Sequence, residues 1–275
     1  MLPDFIGIGP ARSATTWTYE CLNDHPQICM ARWDKKTHFF DLYYDRGIQW
    51  YETLFSHCPE GLKKGELTET YIFYDEVPQR IHEHCPNVKI FACLRNPIDR
   101  AFSAYYHLIR DGAITADFEH AIVKFRKILI TDSLYYDHLK PYFDLFPEEQ
   151  IYVSIFEDIA NNPAAFLQSL YAFLEVDDRF LPQNYDQKRN VTAHPRFRLL
   201  NKIMLITHFY LRDLDLFKYL TPLRNSKSVQ RLRFKGSAES APTMCMETRK
   251  KLQDEFGMQI EKLGKLIGRD LSHWL

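Results

Sequence analysis

Two short apolar runs constrain this chain more than any other feature. Phe5-Ile6-Gly7-Ile8-Gly9 and Val88-Lys89-Ile90-Phe91-Ala92-Cys93-Leu94 each end in a turn that leads straight into a helical pattern. After the first run, residues 15–23 place Trp17, Cys21 and Leu22 on one face. After the second, Asn96 can cap a helix and Pro97 can take its first position. Near-continuous apolar strands alternating with helices indicate a parallel sheet buried on both faces. Further strands are expected at 64–67 and 151–156, and further helices over 133–145 and from Asn162-Pro163 onward. A last helix carries Leu252, Phe256, Ile260, Leu263 and Ile267 at helical spacing before Gly268. The expected fold is α/β, a three-layer α/β/α arrangement around a central parallel sheet.

With 275 residues, 45% of them hydrophobic, the chain can bury one large core, so a single domain over 1–275 is expected. Residues 184–242 break the pattern into basic, loop-rich sequence around an apolar helix near 199–211, and read as a lid or acceptor-binding element. Lys+Arg 35 against Asp+Glu 36 leaves a net charge of -1, which excludes the broad basic field of a nucleic-acid binder, so any anion site is local. Met1-Leu2-Pro3-Asp4 runs into the first strand without a basic leader, and no apolar stretch approaches about 18 residues. A cytoplasmic protein without a membrane span is expected. The six cysteines, at 21, 29, 58, 85, 93 and 245, form no CxxC pair and read as reduced and structural. His82, His84 and Cys85 are close in sequence, but they read as the exposed end of a helix, and no metal is expected. Oligomeric state is not legible.

The turn Gly9-Pro10-Ala11-Arg12-Ser13-Ala14-Thr15-Thr16-Trp17 joins the first strand to the first helix. Such a turn gathers free backbone N–H groups at the positive end of a helix, which suits an anion. Ser13 and Ala14 allow close approach, Arg12 supplies charge, and Thr15 and Thr16 supply hydroxyls. An ordinary strand-to-helix turn would look similar. A phosphoryl-transfer P-loop needs G-x-x-x-x-G-K-[ST], and here Ala14 and Thr15 stand where Gly and Lys belong. The strand ending at Leu94 is followed by Arg95 rather than a metal-holding acid, which argues against magnesium-dependent kinase chemistry.

Arg12-Ser13-Ala14-Thr15-Thr16-Trp17 resembles the 5'-phosphosulfate loop, roughly K-x-G-T-T-W, of sulfotransferases that use 3'-phosphoadenosine 5'-phosphosulfate (PAPS), with Arg for Lys and Ala for Gly. Leu94-Arg95-Asn96-Pro97 through Ser103 resembles their second signature, an Arg at a strand end and a Ser in the next helix that bind the 3'-phosphate. Pro97 to Ser103 spans about 9 Å along a helix axis, within an arginine's reach. Thr37-His38-Phe39-Phe40-Asp41, with Asp45, Gly47, Trp50, Tyr51, Tyr71 and Val77-Pro78, is similar to the heparan sulfate O-sulfotransferase branch and its bacterial relatives. So are Ser133-x-Tyr135-x-x-x-Leu139 and the ending Ile267 to Trp274.

The resemblance implies a P-loop-like sulfotransferase fold, PAPS as donor with 3',5'-adenosine bisphosphate (PAP) as product, and no metal. It implies donor contacts from residues 12–17, Arg95, Ser103, Tyr135 and a basic loop at Lys235 and Gly236. Arg12 would stabilise the departing phosphate. As base it implies Glu66, because Glu66-Leu67-Thr68-Glu69-Thr70-Tyr71-Ile72 is similar to an E-K-T-P-A-Y-F segment, departing at Lys and Pro. The competing reading of Glu66 is an ion pair with Lys63 or Lys64. His107 is the rival base, and Lys35 and His38 are candidates to meet the acceptor. Lys36 stands where related sequences often place a glutamate just before x-H-F-F. The acceptor, a small molecule or a carbohydrate, offers a hydroxyl or amine that the sequence does not name. A kinase using ATP and a noncatalytic nucleotide-binding module are the alternatives: the first needs magnesium and ignores the 3'-phosphate, the second shows no turnover.

Overall fold

The computed structural model describes residues 1–32, 36–110, 113–114, 116–183, 185–186, 194–195, 234–235 and 244–275. Strands β1 (Phe5–Gly9), β2 (Ile28–Met30), β3 (Lys63–Leu67), β4 (Lys89–Leu94) and β5 (Ile151–Ile155) form a five-stranded parallel sheet in the order β2-β3-β1-β4-β5. Because β1 lies between β3 and β4, the chain winds outward from it in both directions. The crevice at the carboxyl ends of the strands around β1 is where such sheets bind ligands.

Side-chain alternation explains why both faces are covered. Ile6, Ile8, Ile90, Ala92 and Leu94 point into one core with Phe39, Phe40, Tyr51, Leu139, Phe256 and Trp274. Phe5, Phe91 and Cys93 point into the other with Trp17, Leu22, Leu170 and Tyr171. Helices α1 (Thr15–Asp24) and Pro163–Leu174 cover the second face. The first is covered by α2 (Ile48–Thr53), α3 (Val77–His84), α4 (Pro97–Arg110), Tyr135–Leu145 and Met246–Leu266. Burying each large apolar side chain contributes roughly 1.5–3 kcal/mol. Gly65 in β3 is obligatory for packing: a Cβ there would lie 2.1 Å from the Phe5 ring.

The three-layer α/β expectation holds, and several boundaries agree. Asn96 Oδ1 accepts from the Ile98 and Asp99 amides at 3.0 and 3.4 Å and so caps α4. Gly268, at φ 63, follows the last helix in the left-handed conformation that glycine tolerates. One strand is added and one expectation is corrected. The three-residue β2, which the sequence does not announce, precedes the strand at 63–67. The cysteines are not all reduced: Cys29 in β2 and Cys58 after α2 form a disulfide, their Cα atoms 5.7 Å apart. The contact joins an edge strand to a helix end 29 residues away, a proximity that spacing along the chain does not encode. Cys21, Cys85, Cys93 and Cys245 are not disulfide-bonded.

Among the described residues no helix is long and apolar enough to cross a membrane. The lid reading of 184–242 falls outside the described residues, except at 185–186 and where β6 (His194–Pro195) pairs antiparallel with β7 (Phe234–Lys235).

Candidate active site

The turn after β1 is built by tight backbone geometry. Gly9 has φ 110, and a Cβ on it would meet the Glu69 carbonyl oxygen at 2.3 Å, so the turn after β3 presses against it. Arg12 and Ala14 are also left-handed, at φ 78 and 56. Ala14 sits at the N-cap of α1, where the resembling loop has glycine, and an alanine holds that conformation at some cost. Ser13 is fully buried and its hydroxyl has no hydrogen-bond partner, an orphan donor inside the turn. Thr15 is buried and Thr16 half-buried. Trp17 is a core residue: it packs on Phe166 at 5.7 Å and donates through its indole N–H to the Tyr185 carbonyl at 2.9 Å.

The two sequence signatures meet. Arg12 Nε donates to Ser103 Oγ at 3.1 Å, and Arg95 Nη1 donates to the Arg12 carbonyl at 3.3 Å. Arg95 also lies over the Phe156 ring at 4.8 Å. Tyr135 is buried beside them. Burial raises the pKa of its hydroxyl, against the opposing charges of Arg100 and Arg95. A buried orphan hydroxyl, two guanidinium groups and the amino end of α1 thus converge, and these groups fit the phosphates of PAPS.

Glu66 lies elsewhere in kind. It is fully buried in β3, where its carboxylate accepts from Thr37 Oγ1 (2.5 Å), Tyr51 OH (2.5 Å), Thr68 Oγ1 (2.7 Å) and Tyr71 OH (3.2 Å). Burial raises its pKa, and the four hydroxyls partly oppose that rise. The ion-pair reading is corrected: Lys63 pairs with Glu175 at 3.0 Å, and Glu66 is held by hydroxyls instead. Glu66 thereby ties α2 and the segments after β2 and β3 to one point.

His38, left-handed at φ 51, binds Asp41 through Nδ1 at 2.9 Å, and Thr70 Oγ1 donates to the same carboxylate at 2.6 Å. Burial pushes the Asp41 carboxyl up, but bonds from His38, Thr70 and the Leu42 amide, with the histidine's charge, hold it below its usual value. His107 is half-buried on α4, one turn beyond Ser103. Lys35 and Gly236 lie outside the described residues, as does the side chain of Lys235.

Residues 2–206 match the sequence profile of the sulfotransferase domain. The chain belongs to the sulfotransferase domain family. It is 27% identical over 280 aligned positions to mouse heparan sulfate glucosamine 3-O-sulfotransferase 3A1, covering 98% of this chain and 64% of that protein. It is 26% identical to bovine bifunctional heparan sulfate N-deacetylase/N-sulfotransferase 2, covering all of this chain and 31% of the relative. The chain therefore spans less than two thirds of the length of these relatives. A crystal structure of a sulfotransferase from Alicyclobacillus acidocaldarius superposes with a TM-score of 0.73 at 26% identity, covering 100% of this chain and 99% of that one. A mouse sulfotransferase complexed with PAP shares the fold, with a TM-score of 0.53 at 13% identity over 97% of this chain and 87% of that one.

Two further residues of this sulfotransferase domain meet at the turn. Glu69 Oε2 accepts from Thr15 Oγ1 at 2.9 Å, and Glu69 Oε1 pairs with Lys36 Nζ at 2.5 Å. The sequence marks Lys36, beside Lys35, as a charge able to attract an anionic group at an altered acceptor site, and Glu69 only as a departure from the resembling segment. Buried Arg100 likewise donates to Ser133 Oγ at 2.7 Å behind Tyr135.

Proposed function

We propose that the chain transfers a sulfuryl group from PAPS to a hydroxyl or amine of a small-molecule or carbohydrate acceptor. The observation that carries this reading is the link from Arg95 to the Arg12 carbonyl and from the Arg12 guanidinium to Ser103, beside the unpartnered Ser13 hydroxyl. The cofactor supplies the activated sulfuryl group and leaves as PAP. Arg12, the loop amides, Thr15 and Thr16 hold the 5' end and offset charge as it develops there. Arg95 and Ser103 hold the 3'-phosphate, with Tyr135 behind them and Lys235 and Gly236 closing from the basic loop. All positive charge in this reading comes from side chains and amides, so no metal is invoked. Glu66, nominated as base by sequence, belongs to the site through the segments it anchors. In this reading Lys35 and His38 serve the acceptor, and His107 is the rival base.

The whole of 1–275 acts as one domain in this reading. The cytoplasmic setting is supported by the four cysteines that form no disulfide; the Cys29–Cys58 bond speaks for an oxidising one. Calorimetry with PAP and AMP tests the donor assignment, because PAP alone engages both anion sites and binds more tightly. Labelled PAPS offered to a metabolite extract identifies the acceptor by what gains the label. PAP binding no tighter than AMP, or nucleotide binding that demands magnesium, sinks the reading in favour of a kinase.

A further inference from the structure

We propose that Glu69 is the base that takes the acceptor's proton, an assignment that rests on the sulfotransferase reading above. Its carboxylate is fixed at both oxygens, by Thr15 of the phosphate turn at 2.9 Å and by Lys36 at 2.5 Å. Its side chain keeps 16% of its surface exposed, whereas Glu66 keeps none. A base must reach the proton it removes, and full enclosure beneath four hydroxyls denies that to Glu66.

The sheet order says which side of the turn Glu69 occupies. Arg95 and Ser103 stand beyond β4, on one side of β1, and Glu69 and Lys36 follow β3 and β2, on the other. A donor whose 3'-phosphate lies on the β4 side and whose 5' end lies at the turn after β1 presents its sulfur towards β3. The backbone contact between Gly9 and Glu69 fixes that spacing. His38 is a further buried titratable group nearby, but none of its hydrogen bonds among the described residues reaches the turn at 9–17: they go to Asp41, Thr68, Thr70 and the amides of residues 42 and 43.

The charges also balance. The acceptor O–H or N–H proton passes to Glu69 as the acceptor atom bonds to sulfur. The bond from sulfur to the bridging phosphate oxygen breaks, and its electron pair stays on PAP. The Glu69–Lys36 pair goes from neutral to positive as the departing phosphate, on the far side of Thr15, gains a negative charge. Opposite charges thus develop next to one another. The two departures from the resembling segments, Lys for Glu at 36 and Glu for Pro at 69, are in contact and act as one unit.

The test uses the full chain with PAPS and p-nitrophenyl glucosaminide, whose hydroxyls and amine are unactivated, and follows PAP release, which counts transfer to sugar or water alike. Glu69→Gln is expected to lower turnover by about 100-fold or more, in the range of lost general-base catalysis, with PAP affinity by calorimetry unchanged. The acid limb of the kcat/KM profile disappears in Glu69→Gln and returns in Glu69→Asp. Near-normal turnover in Glu69→Gln, or an acid limb that persists in it, overturns the role of Glu69 and leaves the donor reading intact. So does an unaltered chain that binds PAP tightly and releases none from PAPS. A chain that binds PAP no better than AMP sinks the donor reading instead, and this proposal with it.

Discussion

Arg12 Nε donates to the Ser103 hydroxyl across 3.1 Å, so the turn after β1 is joined directly to the helix after β4. Arg95 completes the junction by donating to the Arg12 carbonyl. Replacing Arg95 with Ala removes the charged group proposed to meet the 3'-phosphate, and a support of the turn. PAP affinity is expected to fall by about 1.5–3 kcal/mol, roughly 10- to 100-fold in Kd. AMP affinity, which lacks the 3' contact, falls less; calorimetry with both nucleotides checks the difference.

Ala14 occupies a left-handed position at φ 56. Ala14→Gly relieves a clash that is unfavourable for any Cβ, and is expected to stabilise the fold by about 1 kcal/mol, against a small entropic loss in the unfolded chain. Urea midpoints at constant slope measure it, and a midpoint that does not rise contradicts the strain argument.

Glu66 and Asp41 give stability opposite dependences on pH. Burial raises the folded pKa of Glu66, so its contribution is full below about pH 4.3, the unfolded value, and is lost as pH rises through the folded value. Asp41 is depressed, so its contribution is present above about pH 3.9 and is lost as pH falls through the folded value. Glu66→Gln is expected to lose the decline above about pH 4.3 while keeping the acid-side loss due to Asp41. Urea denaturation across the pH range reads both, and an unchanged profile in Glu66→Gln contradicts the assignment.

Cys58→Ser opens the link between β2 and the end of α2 and is expected to cost about 2–4 kcal/mol. Dithiothreitol should lower the Tm of the parent chain towards that of the variant and leave the variant's own Tm unmoved. Equal sensitivity of both proteins to the reductant would contradict the bond.

How far the sequence could be read follows from the kind of signal each element carries. The strands at 5–9 and 89–94 announce themselves because a strand buried on both faces must be apolar throughout. Ile28–Met30 is too short for any period to register, and Cys29 hides its bond because partners across a fold leave no spacing rule. Arg12, Arg95 and Ser103 were legible through the two signatures they resemble, the turn after β1 and the Arg-to-Ser stretch from the end of β4 into α4. Glu66 was legible as a carboxylate at a strand end, but its enclosure by Thr37, Tyr51, Thr68 and Tyr71 was not, because those partners come from three separate segments. Lys36 and Glu69 each looked like an isolated exception, because their contact crosses two strands.

The central place of β1 in the sheet divides labour between neighbours. Arg12, Arg95 and Ser103, proposed to hold the two ends of the nucleotide, follow β1 and β4, while the segments after β2 and β3 lean on a separate hydroxyl-lined anchor. Substitution at Lys36 or Glu69 can therefore alter the transfer step while the contacts that join Arg12, Arg95 and Ser103 stay in place.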